Sequence, residues 1–245
     1  MPRSLRSRVA ARLPTGSDRL PIGLFGVAVV VAAPLILFKL GSYHWFFRDE
    51  WVFLAEREGR LPEIFEPHGG AHWVAIPRLI FFVLWQVFGV RTYVPYQAVV
   101  VSLHLAVCVM VLLIMRRSGV GAWLACSAAA ILIVFGPGAQ NIVWAFQVSF
   151  TGSVAYGLAH LLLADHDGGF SRRDWLGLAF GAAALMSSAV GVTMLAVVGL
   201  SVLLRRGWRM AALHVGPLVA LLLVWVALDL DLELERPLFA PNTHI

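Results

Sequence analysis

An all-α, polytopic transmembrane helix bundle is the fold class this sequence predicts, on three observations. Of 245 residues, 60% are hydrophobic and only 13% are charged, with a mean hydropathy of +0.81. A water-facing domain carries about 25% charged residues, so the charge here is too sparse to cover a soluble surface. The charges fall in short clusters separated by uncharged stretches, several of them near the ~20 residues that cross a ~30 Å hydrocarbon core. Finally, Tyr43, His44, Trp45, Phe46, Phe47, Trp51 and Phe53 crowd together directly after the first such stretch, the composition of a membrane–water interface. The same numbers exclude disorder, collagen and secreted disulfide scaffolds.

The net charge of +5 does not indicate nucleic acid as a partner. Eighteen of the nineteen basic residues are Arg, the other being Lys39, and they lie between apolar runs. That placement is typical of topology determinants, whereas a phosphate-tracking surface gathers its charge on one face. Cys108 and Cys126 both sit inside apolar stretches and read as packing residues.

Taken in order, residues 1–19 form a basic cytoplasmic tail with Arg3, Arg6, Arg8, Arg12 and Arg19 against Asp18. The first transmembrane helix occupies 20–40, uncharged from Leu20 to Phe38. It is too long for a signal-peptide core and reads as an uncleaved anchor. Residues 41–91 form a large outer loop containing an interfacial helix. Within it, 41–78 hold six of the fourteen acids. The stretch Val74–Val90 is interrupted by Pro77 and Arg78, too short to span and suited to an interfacial or re-entrant helix.

Residues 92–228 are the transmembrane bundle. Thr92–Met115 is one span, closed by Arg116 and Arg117. Ser118–Ala164 is uncharged throughout, and GPGAQN at 136–141 predicts a tight hairpin between two helices. After the polar loop Asp165–Asp174 comes Trp175–Leu204, thirty uncharged residues, then Arg205, Arg206 and Arg209, and a last span Met210–Leu228. One helix over 175–204 would be ~45 Å long. A break at Ser187–Gly191 instead places both Arg clusters on one side. The inner segments then hold twelve Arg against four acids and the outer segments seven basic residues against ten acids, as the positive-inside rule requires. The expectation is about seven spans, a cytoplasmic N-terminus in the cell membrane, and an outer tail over 229–245.

Candidate site residues lie mainly in the outer loop. Asp49 and Glu50 follow the aromatic cluster and read either as solvated carboxylates or as a general base at the membrane surface, where desolvation raises a carboxyl pKa. His68 and His72 are four apart, but Gly69 and Gly70 between them oppose a regular helix. They fit either a divalent metal or a polar lip that hydrogen-bonds substrate. No cofactor is required by the pattern, and a divalent metal is compatible with it. Arg78 either holds a lipid phosphate or snorkels to the interface. Trp144 and Gln147, where the fourth span begins on the outer side, are three apart and share a face, and serve either a cavity or helix packing. His104, His160 and His214 read as hydrogen-bonding groups between helices.

Together these features resemble the N-terminal half of polytopic glycosyltransferases of the GT-C fold, the relatives of protein O-mannosyltransferases and lipid-A aminoarabinose transferases. Asp49–Glu50 match that family's early acidic motif, and His68 to Arg78 match its polar lip before an interfacial helix. WAFQVSFTGS at 144–153 and MSSAVG at 186–191 are similar to segments of its bacterial members. The resemblance implies transfer of a sugar from a polyprenyl-phosphate donor to an acceptor on the outer face, with Asp49 as base and membrane lipid as surroundings. Family members continue for several more spans. On that pattern a second chain would supply the missing spans, or the protein would be a non-catalytic scaffold or lipid-handling partner.

Overall fold

A computed structural model describes residues 18–55 and 72–235. Regular structure among the described residues is helical. The helices are α1 (Arg19–Leu35), α2 (Asp49–Ala55), α3 (Ala75–Phe88), α4 (Val94–Arg117), α5 (Ala122–Ile133), α6 (Ala139–Val143), α7 (Val148–Ala164), α8 (Arg172–Leu185), α9 (Val190–Arg206) and α10 (Trp208–Glu235). Four segments are long and apolar enough to cross a membrane: Arg19–Leu40, Val94–Arg117, Ala145–Ala164 and Trp208–Leu228. A fifth is added if the pair Ala122–Ile133 and Gly136–Val143, bent by 43°, counts as one span. Their surfaces suit lipid, since Val27, Val30, Leu124, Ile131, Leu223 and Val224 all stand exposed.

By length and apolarity, then, the described residues supply four or five crossings of the seven expected. The shortfall lies in α8 and α9, whose 14 and 17 residues reach only ~21 and ~26 Å. The chain does break between them, and they run antiparallel. Arg206 at the end of α9 contacts Asp174 at the start of α8 at 2.5 Å, while at the turn a Cβ on Gly191 would collide with the Ala184 carbonyl. The SSAVG segment therefore folds as a close hairpin that only glycine permits at position 191.

That hairpin gathers the arginines at one end of the bundle. Arg116 pairs with Asp18 at 2.9 Å, Arg117 with Asp165 at 3.5 Å, and Arg205 also with Asp165. Arg117 and Arg173 donate to the Leu162 carbonyl and Arg206 to that of Ala164. These carbonyls close the last turn of α7, where helical donors run out and a cation complements the helix dipole; that of Ala164 also accepts from the His166 N–H at 3.1 Å. Trp123, Trp175 and Trp208 stand exposed around this basic end. Tyr43, Trp45 and Trp51 stand exposed at the opposite, aromatic end, so an indole belt rims each end of the apolar surface.

At the aromatic end the expected tight hairpin is replaced by a longer connection. A 3₁₀ turn at Gly136–Gly138, the five-residue α6, an extended Trp144 (φ −85°, ψ 118°) and a second 3₁₀ turn at Ala145–Gln147 join α5 to α7. The first helix ends in a wide turn, Ile36–Leu40, following Pro34, which cannot donate to the helical ladder. Gly41 closes that turn, its N–H donating to the Ile36 carbonyl at 2.7 Å. Any Cβ on Gly41 would overlap the Gln97 amide, which itself donates to the Val143 carbonyl at 2.7 Å. Three distant segments are thus tied by one side chain.

Candidate functional site at the aromatic end

The residues after Gly41 fold back over the helix ends by burying aromatic surface. Phe46 meets Tyr93 and Tyr96 edge-on at 5.1 and 4.9 Å, and Phe53 packs against Phe81 and Phe146 at 5.4 and 5.3 Å. Edge-to-face pairs add about 0.5–1.5 kcal/mol each to the area they bury. Arg48 adopts φ 49°, a left-handed conformation that non-glycine residues rarely take, and its guanidinium lies 5.0 Å above the Phe47 ring. The chain then turns directly into α2.

The two acids that begin α2 separate completely. Glu50 is 0% exposed and accepts three hydrogen bonds: from the Tyr93 hydroxyl at 2.7 Å, the Phe146 N–H at 2.9 Å and the Phe47 N–H at 2.8 Å. The Tyr93 hydroxyl accepts in turn from the Ala145 N–H at 2.8 Å. Ala145 and Phe146 stand at the N-terminal end of the Ala145–Ala164 span, where backbone N–H groups lack helical acceptors. Glu50 and Tyr93 cap that span from elsewhere in the chain. Burial pushes the Glu50 carboxyl up from 4.5, while Tyr93, the two backbone donors and the nearby Trp144 indole pull it partly back. Asp49 is only half-buried and stands on the same first turn of α2.

Two grooves meet beside this cap. One, of about 500 Å³, runs between α1 and α5 and is almost wholly apolar, with Lys39 in its wall. The other, of about 730 Å³, is lined by Tyr43 to Phe47, the 134–136 turn and Trp144. They share Ile36, Leu40, Ile133 and Val134, so an apolar channel on the flank opens into an aromatic cleft at the bundle end. His44 and Gln140 supply polar groups in the cleft.

The remaining expected residues fall around this region in different ways. His68 lies outside the described residues. His72 is exposed. Among the described residues no group of three or more His, Cys, Asp and Glu side chains has metal-ligating geometry. Arg78 is buried in α3, a 14-residue helix too short to cross, whose Ile76 N–H donates to the Met186 carbonyl at the α8–α9 turn. Trp144 and Gln147 do not share a helical face, because Trp144 is extended and the helix starts after it. Trp144 faces the cleft, whereas Gln147 is buried with its Oε1 lacking a partner.

Tyr93 has no signal in the sequence, since its partners lie 43 and 52 residues away. Asp174, at the basic end, is also central and was legible: Ser171 three residues earlier begins a capping box that the structure closes. Compared with protein-family models, curated proteins and solved structures, the chain matches none.

Proposed function

We propose that this protein is a membrane glycosyltransferase of the GT-C type, acting at the aromatic end on a sugar carried by a polyprenyl phosphate. The observation that carries this reading is the apolar channel along α1 and α5 that opens into the aromatic cleft. In a bilayer such a channel excludes water and accepts a hydrocarbon chain. Lys39 and His44 then stand where an anionic head would meet the interface. The arginine-rich end faces the cytoplasm by the positive-inside rule, which puts the cleft on the outer face, and α8–α9 complete seven passes as a short hairpin pair.

Of the two acids, only Asp49 is available for chemistry. Glu50 is consumed by capping, with every hydrogen bond it makes accepted from a fixed donor. Asp49, ionised, would take the acceptor hydroxyl's proton as oxygen attacks the sugar, and the lipid phosphate leaves with the bonding electron pair. A positioned base contributes about 10²–10⁴ in rate. The engagement of Glu50 in the fold equally favours a second reading, in which the chain is a lipid-handling scaffold with no base at all.

The test is transfer from a radiolabelled polyprenyl-phosphate sugar by membranes carrying the wild-type chain or Asp49→Asn, together with any second chain required. The near-isosteric variant should insert normally and lose at least a hundredfold in transfer. Undiminished transfer by Asp49→Asn removes Asp49 as the base. Lipid photocrosslinking into the cleft without any transfer by the wild type favours the scaffold.

A further inference from the structure

The basic end of the bundle buries a second set of ionisable groups that the cleft does not use. Asp174 is 0% exposed and accepts from the Ser171 N–H at 2.7 Å, the Ser171 hydroxyl at 2.9 Å, Arg206 at 2.5 Å and His166 Nε2 at 3.0 Å. Its Oδ1 also lies 2.9 Å from His214 Nε2, and His214 Nδ1 lies 2.9 Å from His160 Nε2. His214 and His160 are 0% and 1% exposed. The line of contacts crosses α8, α10 and α7.

A structural clamp does not require this chemistry. Asp174 and Arg206 already cancel each other's charge, so neither imidazole is needed as a counterion. Ionisable groups inside membrane helices are costly and rare outside sites that move ions or protons. The fold makes particular room for one of them: a Cβ on Gly177 or Gly181 would come within 3 Å of the His160 ring. An imidazole differs from other hydrogen-bonding side chains in that its two nitrogens exchange donor and acceptor roles when a proton arrives.

The partners assign the resting protons. His214 Nε2 faces a carboxylate and therefore carries hydrogen, which leaves Nδ1 to accept from His160 Nε2–H. His166, 12% exposed at its side chain, meets an acceptor at each nitrogen, Asp174 Oδ2 and the Asp167 carbonyl, and connects the cluster to water at the basic end. We propose that the His160–His214 pair is a proton-binding site loaded from water at the basic end. On loading, a proton taken from water adds to His160 Nδ1 as the His160 Nε2 hydrogen passes to His214 Nδ1, so two N–H bonds form, one breaks, and the pair gains one positive charge. His214 becomes an imidazolium that donates to both Asp174 and His160 Nε2, and His160 changes from the Nε2–H to the Nδ1–H tautomer.

The surrounding charges oppose each other in setting this step. Burial of both rings disfavours the added charge most, Arg206 and His166 oppose it too, and Asp174 favours it. Farther out, Arg117, Arg173 and Arg205 surround Asp165 and the end of α7. Because the tautomer of His160 changes against the glycine face of α8, the proton reports conditions at the basic end to the packing of α7, α8 and α10.

The experiment is a pH titration, from about 3 to 9 so that it extends well below the ordinary histidine range, of the full chain in lipid nanodiscs with ¹⁵N-labelled histidine rings. The expected result is a single step in which His214 gains a proton as His160 exchanges Nε2–H for Nδ1–H. His166→Gln removes a like charge and should move that step to higher pH by roughly half a unit to one unit. Two rings that keep one neutral tautomer across the whole range overturn the proposal, as do two rings that titrate in separate, independent steps. The wild-type titration decides this even if the variant does not fold.

Discussion

Truncating Glu50 to alanine would expose how strongly one side chain holds the aromatic end together. The carboxylate receives the Tyr93 hydroxyl and the N–H groups of Phe47 and Phe146, all at 2.9 Å or less. Each buried donor left without an acceptor costs about 1–3 kcal/mol. Three such losses bound the effect at roughly 3–9 kcal/mol, and the lifted cost of burying the carboxyl lowers the net. We expect about 3–5 kcal/mol, the range seen when one partner of a buried charged group is removed. For a chain of this length that is a fall in melting temperature on the order of 10 °C. The assay is a thermal melt in detergent followed by tryptophan fluorescence, with Trp51 and Trp144 as local reporters. Tyr93→Phe should cost less, since it removes one donor and strands the Ala145 N–H, and the double variant should fall short of the sum. A Glu50→Ala protein that melts within about 2 °C of the wild type would refute the capping role.

Gly41→Ala should destabilise by about 1–3 kcal/mol, because its methyl displaces the Gln97 amide and leaves that buried group unpaired; the same melts read this, and Gln97→Ala should recover part of the loss. Stability should also fall as pH rises above 4.5, the ordinary value for Glu50. Between that value and its raised folded one the native state binds the extra proton, so Glu50→Gln should flatten the slope measured by melts across pH. Single cysteines at Ser118 and Asp167, in a chain lacking Cys108 and Cys126, should react with impermeant maleimide from the cytoplasm, and one at Ser42 from outside. A cysteine at Arg209, just after α9, should also label from the cytoplasm, and its labelling from outside would contradict the antiparallel α8–α9 hairpin.

Amino-acid order alone determined the helical, apolar character of the chain, because hydropathy and helix length are local properties. It also determined the interruption near Ser187–Gly191 and the grouping of the arginines, since short charged clusters between apolar runs can alternate only between two ends. The sequence likewise marked Asp49 and Glu50 as a pair, and the family resemblance made Asp49 the base, but nothing local showed that Glu50 would be buried as a cap. That role came from Tyr93 and the Ala145–Phe146 backbone, which reach Glu50 across 43 and 96 residues of chain and meet only when the α4 and α7 ends pack together. The assumed helical face shared by Trp144 and Gln147 failed for a related reason: those cross-chain hydrogen bonds satisfy the backbone that a continuous helix would have satisfied itself. The Asp174–His214–His160 line is wholly tertiary, built from three helices whose local sequences give each residue an ordinary place. Local composition fixes what a segment prefers, whereas the pairing of buried polar groups depends on which segments the packed bundle brings within about 3 Å.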